Sequence, residues 1–453
     1  MTADATQAWH DLLDGDHALA LESASQLEAL LRRQELIFGD RPLCTVLRPR
    51  FFTPASYAEL CARCAAIMEA FRAAYDRALA DPAARAQFRL TDWEETLVTS
   101  DTSGLWPSPT ARIDAFMTAD GGLSLTEFNG ETPAAPAFND ALCDVVWDLP
   151  VSRAFAADWW LRPLHARQGV LRVLLRAYER MRGTRALPRI AILDWHDVPT
   201  RMEFVLFQRY FESRGIPCVI GDPRDCEYTD GALRLRGEVI DLVYKRVLIH
   251  ELVEEQGLDS PVIRAARDNA VCFLNGFRSK ILHKKASLAV LSDDRNAAWF
   301  SDAGRRAIAA HIPWTRVVEE RKTIGPDGDT IDLLQWANTR RDRLVLKPND
   351  DYGGAGIVLG WTVNDSEWAA ALVRALAQPY IVQERVRIPK EPYPSIESGR
   401  LEFIDRQVDT APFVWDGAYV EGVLTRLSTA ELLNVTAGGG SQTPTFLVER
   451  RTS

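Results

Sequence analysis

The chain of 453 residues lacks any run approaching the ~18 consecutive apolar residues of a membrane-spanning helix, and its polar, acidic N-terminus lacks the apolar core of a secretion signal. The expected compartment is therefore the cytoplasm. A surplus of positive charge is also missing: 53 Lys and Arg against 63 Asp and Glu give a net charge of −10, which argues against a general nucleic-acid or anionic-membrane surface. The seven cysteines (44, 61, 64, 143, 218, 226 and 272) are odd in number and sit mostly in apolar stretches, so no disulfide framework is expected. Cys61 and Cys64 are one helical turn apart with no second ligand pair, a weak basis for a zinc or redox site. The seven histidines are dispersed and none is assigned to catalysis. Neither a Gly-x-Gly-x-x-Gly nor a Walker Gly-Lys-Ser/Thr is present, so a dinucleotide fold and a P-loop have no support.

What is present is ordinary globular material, 47% hydrophobic and 26% charged, enough for two to three domains. Residues 1–100 carry helical periodicity, clearest in 23–37 and in 54–77 after the cap residue Thr53, and read as a helical N-terminal cover. From about 104 to 150 the pattern turns to short strands and Pro-rich turns, within a segment 101–185 that continues as a helical stretch over 154–183. Residues 186–268 read as a small doubly wound α/β domain: buried strands at 189–195, 217–222 and 239–247, an amphipathic helix at 201–214 and a hairpin from Tyr228. The last segment, 269–453, alternates helices (284–292, 302–310, 366–377) with strands (343–347, 356–360, 380–384). Pro389–Pro394 reads as a loop, and Gly438–Gly440 is the densest glycine cluster.

Four segments carry candidate chemistry. In Arg112-Ile-Asp114 and Glu127-Phe-Asn129 the polar residues lie two apart, so on paired strands joined through residues 119–122 they would face one pocket. Two carboxylates and an amide suit a hard cation such as Mg²⁺. A hairpin with a solvated polar face fits the pattern as well. The run Leu344-Val-Leu-Lys347, then Asp350-Asp-Tyr-Gly353-Gly354-Ala-Gly356, then Ile-Val-Leu places a lysine before a glycine-rich loop that can turn backbone N–H groups toward phosphates, or can simply form a tight turn. Tyr380-Ile-Val-Gln383-Glu384 is a core strand that becomes polar at its end, suited to a purine edge. Lys280, Lys284 and Lys285 cluster at a helix start, where they oppose the helix dipole unless an anion lies close by; a solvated basic turn is the alternative.

In this order the segments resemble the ATP-grasp fold, and more closely its circularly permuted branch that includes glutathionylspermidine synthetase and eukaryotic glutathione synthetase. Glu127-Phe-Asn-Gly-Glu-Thr-Pro is similar to that branch's Glu-x-Asn motif, and Glu421-Gly-Val-Leu-Thr-Arg426 with Gly438–Gly440 resembles its arginine and glycine-rich lid. The resemblance spans roughly residues 105–450. It implies ATP and Mg²⁺ as cofactors, with Asp114, Glu127 and Asn129 as metal ligands and Arg112 steadying the transferred phosphoryl group. It further implies Lys285 and Lys347 on phosphates, Gly353, Gly354 and Gly356 as the flap, and Gln383, Glu384 and Val386 at the adenine site. Arg426 would meet a substrate carboxylate under the lid. Asp350 and Asp351 are expected to point outward, since the loop is more acidic than a phosphate cradle should be. The N-terminal Cys/His constellation of an amidase is absent, so amide hydrolysis is not implied.

The expected fold class is α/β (α+β), an ATP-grasp fold with the small α/β domain and the helical cover. The expected activity is ATP-dependent amide-bond formation between small-molecule carboxylate and amine substrates, an amino acid or short peptide among them. The competing expectation is a nucleotide-binding protein of the same fold without ligase activity, and phosphate transfer to another acceptor is a third reading. A homodimer is the commonest state for such a chain.

Overall fold

The computed structural model describes residues 1–38, 41–118, 121–351, 353–430 and 440–451. Ala119 and Asp120 of the expected hairpin turn, Tyr352 of the glycine loop and Gly438 and Gly439 of the expected lid lie outside the described residues.

The fold is mixed α/β, with many helices and several sheets. Helices Thr2–Gly15, His17–Arg33 and Pro54–Ala80 follow from apolar residues at helical spacing. Thr53 caps the third in a reciprocal box with Ser56, as its sequence position suggests. Cys61 and Cys64 lie on this helix in no metal-binding group among the described residues, and burial pushes both thiols up.

Strands Ile190–Leu193, Cys218–Gly221, Leu242–Lys245 and Cys272–Leu274 form a parallel sheet in the order Cys272–Leu274, Leu242–Lys245, Ile190–Leu193, Cys218–Gly221. Ile190–Leu193, Cys218–Gly221 and Leu242–Lys245 coincide with the strands expected for the small α/β domain; Cys272–Leu274 lies in the next segment along the chain. A second, antiparallel sheet runs Thr315–Val317, Tyr380–Glu384, Leu344–Pro348, Val358–Leu359. The largest sheet joins the hairpin Thr110–Met117/Leu123–Asn129 to Ala411–Trp415, Tyr419–Ser428, Arg400–Val408 and Lys390–Glu397, so segments nearly 300 residues apart share one surface.

Three expectations differ. Pro389–Pro394 is not a loop: Lys390–Glu397 is a strand, tolerated with Pro392 and Pro394 because it lies at the sheet edge, where prolines need not donate to a second neighbour. The helical stretch at 154–183 is broken by the strand Trp159–Pro163, which pairs with Thr445–Arg450, and the helix starts only at Arg167. The Pro-rich turn is followed by a helix, Pro136–Trp147, with Pro136 in its first turn, where its missing N–H is harmless.

The core seats the hairpin. Ile113, Ala115 and Phe128 are buried on one face, with Phe128 stacked on Phe71 of the long helix at 4.6 Å, while the alternate residues Arg112, Asp114, Glu127 and Asn129 face the other way. Burying a phenylalanine contributes about 2 kcal/mol, enough to fix which face each carboxylate takes, since a one-residue slip would invert them all.

Candidate functional site

Across the hairpin Arg112 is opposite Asn129 and Asp114 is opposite Glu127. A register shift after Asp114 leaves Thr126 as the extra residue of a bulge, and its carbonyl turns to accept from Lys347 Nζ at 3.0 Å. The Asp114 carboxylate is enclosed by donors: Arg112 Nε at 2.6 Å and Nη2 at 2.9 Å, Asn129 Nδ2 at 2.9 Å and Arg426 Nη2 at 2.8 Å. Burial alone would push this carboxyl up, but the two guanidiniums hold it well below the usual carboxylate range. Arg426 is gripped on its other side by the buried Asp409, which accepts from its backbone N at 2.6 Å and from its Nε. Asp409, Arg426, Asp114 and Arg112 thus form an alternating chain of charges.

This chain bears on the expected metal set: Asp114 clasps Arg112 and Arg426, and a cation binding it would compete with two guanidiniums. Glu127 and Asn129 fit a hard cation better. Asn129 spends its amide nitrogen on Asp114, which leaves its oxygen to offer. Glu127 lies 3.1 Å from Lys285 Nζ; burial would raise its pKa, but Lys285 and other nearby cations hold it below the ordinary carboxylate value.

Lys347 ends the strand Leu344–Pro348, and its ammonium also donates to Gln383 Oε1 at 2.7 Å. Gln383 in turn donates from Nε2 to Thr315 Oγ1, so both ends of its amide are engaged. Burial pushes Lys347 down to about 8, with Glu127 opposing the shift. The loop that follows has Gly353, Gly354 and Gly356 all at positive φ, and a Cβ on Gly356 would come within 2.6 Å of Pro348 Cγ, which explains glycine there. A cavity of about 600 Å³ brings together Asp114, Glu127, Lys347, Gly353, Gly354, Gln383, Glu384, Val386 and Arg426. Arg112, Asn129, Lys285 and Gly356 are outside its lining; the first three bind residues that line it. One end of the cavity is apolar, with Val345, Ile357, Leu359 and Trp361, and Arg385 lies over the Trp361 ring at 3.9 Å.

Beside the cavity is a buried charge cluster. Lys280 Nζ meets Glu131 at 3.1 Å and Asp350 at 2.6 Å; Lys284 meets Glu94 at 2.7 Å and Asp350 at 2.8 Å. Lys245 lies 3.3 Å from Glu131. Asp350 therefore does not point outward: its side chain is only 18% exposed and is drawn in by two ammoniums that burial would otherwise leave uncompensated. Asp351 is exposed, as expected. The anions that Lys280 and Lys284 require come from the protein, and one of them, Glu94, comes from the N-terminal cover. Glu131, His283 and Asp350 have the spacing of a cation site, but Lys280 already bridges both carboxylates and takes that place.

Asp409, Glu131 and Glu94 were not singled out in the sequence. Gln407-Val-Asp409 repeats the every-second-residue spacing of Arg112-x-Asp114 and Glu127-x-Asn129, a signal that could have found Asp409. Glu131 lies within the motif itself; Glu94 sits on a helix whose capping box hides any other role.

The sequence matches no protein-family model and no curated protein. In structure the chain is similar to a glutathione synthetase-like effector from Globodera pallida in its apo form: TM-score 0.59, 14% identity, 95% of this chain and 98% of that one covered. It also matches D-alanyl-alanine synthetase A from Vibrio cholerae O1 biovar eltor, with TM-score 0.27, 12% identity and 49% and 67% covered. The first likeness is one of fold over nearly the whole chain. No helix among the described residues is long and apolar enough to cross a membrane.

Proposed function

We propose that the chain is an ADP-forming carboxylate–amine ligase of circularly permuted ATP-grasp architecture. ATP phosphorylates a carboxylate, and an amine attacks the acyl phosphate to leave an amide, ADP and phosphate. The observation that carries this reading is the convergence on one cavity of the hairpin carboxylates, Lys347, the glycine loop, the strand end 383–386 and Arg426. The fold likeness to a glutathione synthetase-like protein supports it independently. The nucleobase takes the apolar end, beside Val386 and Glu384, and the phosphates take the end with Lys347 and the N–H groups of the glycine loop, with Lys285 behind it on Glu127. Magnesium, when bound, neutralises phosphate charge, and Glu127 and Asn129 are the residues to hold it. Arg426, aimed by Asp409 and Asp114, faces the developing charge of the acyl phosphate. No dedicated general base is required, because an amine can enter neutral or lose its proton after attack.

The decisive experiment is turnover with hydroxylamine as amine, against a panel of amino acids and dipeptides. A hydroxamate together with ADP supports the acyl phosphate; ADP with a phosphorylated acceptor and no hydroxamate indicates transfer to another group. Nucleotide binding without ADP supports a non-catalytic module. That second reading is favoured by the neutralisation of Asp114 within the protein and by the description of the fold relative as an effector.

Two predictions attach to the site. Asp409→Asn keeps the side chain's size but weakens its grip on Arg426, so kcat should fall about 10- to 100-fold with the KM for ATP little changed. Steady-state kinetics with ATP varied checks this; an equal loss through KM alone would remove Asp409 from the positioning role. Lys347 should also impose a pH dependence. Its charged form binds phosphate, so nucleotide affinity declines as pH rises through about 8, and above that pH binding takes up a proton. Calorimetry in buffers of different ionisation enthalpy measures the uptake; a flat affinity from pH 7 to 9.5 would contradict it.

A further inference from the structure

A three-stranded sheet far from the cavity, in the order Arg50–Phe52, Thr445–Arg450, Trp159–Pro163, ends on an open edge. Leu164 N donates to Thr445 O and Arg451 N donates to Asp158 O, and these two bonds fix the parity of the antiparallel ladder between them. Asp158, Trp160 and Arg162 turn their backbone groups toward Thr445–Arg450, while Trp159 and Leu161 turn theirs away. Among the described residues no second strand meets that outer row of N–H and C=O groups. An unpaired row of this kind is a template for another chain, and proteins that must stay apart blunt it with prolines or like charges. Here the strand's one proline, Pro163, stands at the last position, where it leaves Trp159 and Leu161 free to pair.

The side chains on this edge are as open as its backbone. Trp159 is buried and stacked on Phe155, so the odd-numbered face packs on the core, whereas Asp158, Trp160 and Arg162 of the other face are all exposed. Trp160 keeps 58% of its surface in solvent, with Arg451 over its ring at 3.8 Å. Asp158 and Arg162 have no ion-pair partner among the described residues, and at about 13 Å apart along the strand they cannot answer each other. Opposite charges thus stand two residues to either side of an exposed indole. In an antiparallel pairing of this edge with itself, each charge would meet its opposite.

We propose that the strand Trp159–Pro163 pairs with the same strand of a second copy of this chain, antiparallel, about a two-fold axis at Trp160. The ladder parity agrees with this register. Trp159 exchanges both of its backbone hydrogen bonds with Leu161 of the second copy, and the two Trp160 residues form the pair without hydrogen bonds, where side chains approach most closely. Asp158 lies opposite Arg162 of the second copy, and the symmetry repeats that ion pair. Neighbouring registers lose these gains: a two-fold at Leu161 sets Pro163, which has no N–H, against Trp159, and a two-fold at Trp159 sets Asp158 against Trp160. The charges that could have protected the edge therefore select one partner and one register. The inference does not depend on the ligase reading.

Sedimentation equilibrium of the full chain tests it, with the wild type expected to show the mass of two chains at about 100 μM. Arg162→Asp places like charges opposite each other twice and should weaken association at least about tenfold, with the fold intact because Arg162 is exposed and unpaired. Adding Asp158→Arg to that variant reverses both signs and should restore the dimer. Trp160→Cys, oxidised, should give a disulfide-linked dimer, because Cα atoms of a pair without hydrogen bonds lie about 4.5 Å apart, and Arg162→Cys should not. A wild type that stays monomeric overturns the proposal and leaves the edge to a different chain. A dimer indifferent to Arg162→Asp, or one that the double variant fails to restore, overturns it as well, because the contact then lies on another surface or in another register.

Discussion

Replacing Lys347 with methionine should lower ADP formation about a thousandfold or more while leaving the melting temperature unchanged or raised. The two halves of this expectation come from the same fact. Lys347 is buried in the cavity wall, where a charged ammonium is poorly solvated, and its two protein acceptors, Gln383 Oε1 and Thr126 O, are neutral. The protein therefore holds its pKa down to about 8 against an ordinary 10.5, so the folded state binds fewer protons than the unfolded chain between those values. By linkage, stability gained from the lysine rises as pH rises through that window, and at neutral pH the charge opposes folding. A phosphate reverses the balance, because it supplies the anion that the folded protein withholds. Phosphoryl transfer depends on positioned charge more than on any covalent step of the protein, so losing this ammonium removes transition-state stabilisation directly. Methionine keeps the length of the side chain and removes only the charge. Glu127→Gln should behave alike for activity, since it preserves shape but reduces the charge offered to a cation. Both are checked by coupled ADP release and by circular-dichroism melting. Full turnover in either variant would refute the site assignment; loss of turnover with an early melt would instead mean that the side chain serves the fold.

The sequence made the strand-borne parts of this site legible for a simple reason. Residues two apart on a strand share a face, so Arg112 with Asp114 and Glu127 with Asn129 could be paired from spacing alone, and their cross-strand partnership followed from the length of the intervening turn. Lys347 and the strand Tyr380–Glu384 were legible because apolar runs end there in polar residues. Roles were harder to read than positions. Asp114 reads in sequence as a carboxylate for a cation; its ion pair with Arg426, 312 residues away, is invisible until the large sheet brings the ends together. Asp350 looked too acidic for a phosphate loop and was expected to face solvent. It turns inward because Lys280 and Lys284, themselves buried by helix packing, need counter-ions that no local pattern reveals. The Pro-containing edge strand was missed because proline signals a loop locally, and only the sheet order shows that its unpaired side is harmless.

Glu131→Ala should destabilise the protein by about 3–5 kcal/mol, a larger effect on folding than any change in the cavity wall. Glu131 has no exposed side-chain surface and answers two buried ammoniums, Lys245 at 3.3 Å and Lys280 at 3.1 Å, while its Oε1 also accepts from the backbone N of Ile249. Burial would push its carboxyl up, but Lys280 and Lys245 hold it well below the usual range. An acid so depressed contributes stability that is present above its unfolded value and lost as pH falls, so the wild type should weaken on acidification and the variant should weaken less. Without Glu131, Lys280 retains Asp350 and Glu94, but Lys245, already pushed down to about 8 by burial, loses the carboxylate it is paired with. Urea denaturation at neutral and acidic pH measures both differences. A low yield of the alanine variant would not by itself prove the point, and the double variant Glu131→Gln with Lys280→Met separates the causes. If the cost arises from leaving buried charges unanswered, removing an acid and a base together should recover part of the stability lost in the single variants. Strictly additive losses would mean that each side chain supports the fold separately, and that the ion cluster joining the cover, the hairpin and the root of the glycine loop is a set of neighbours without energetic coupling.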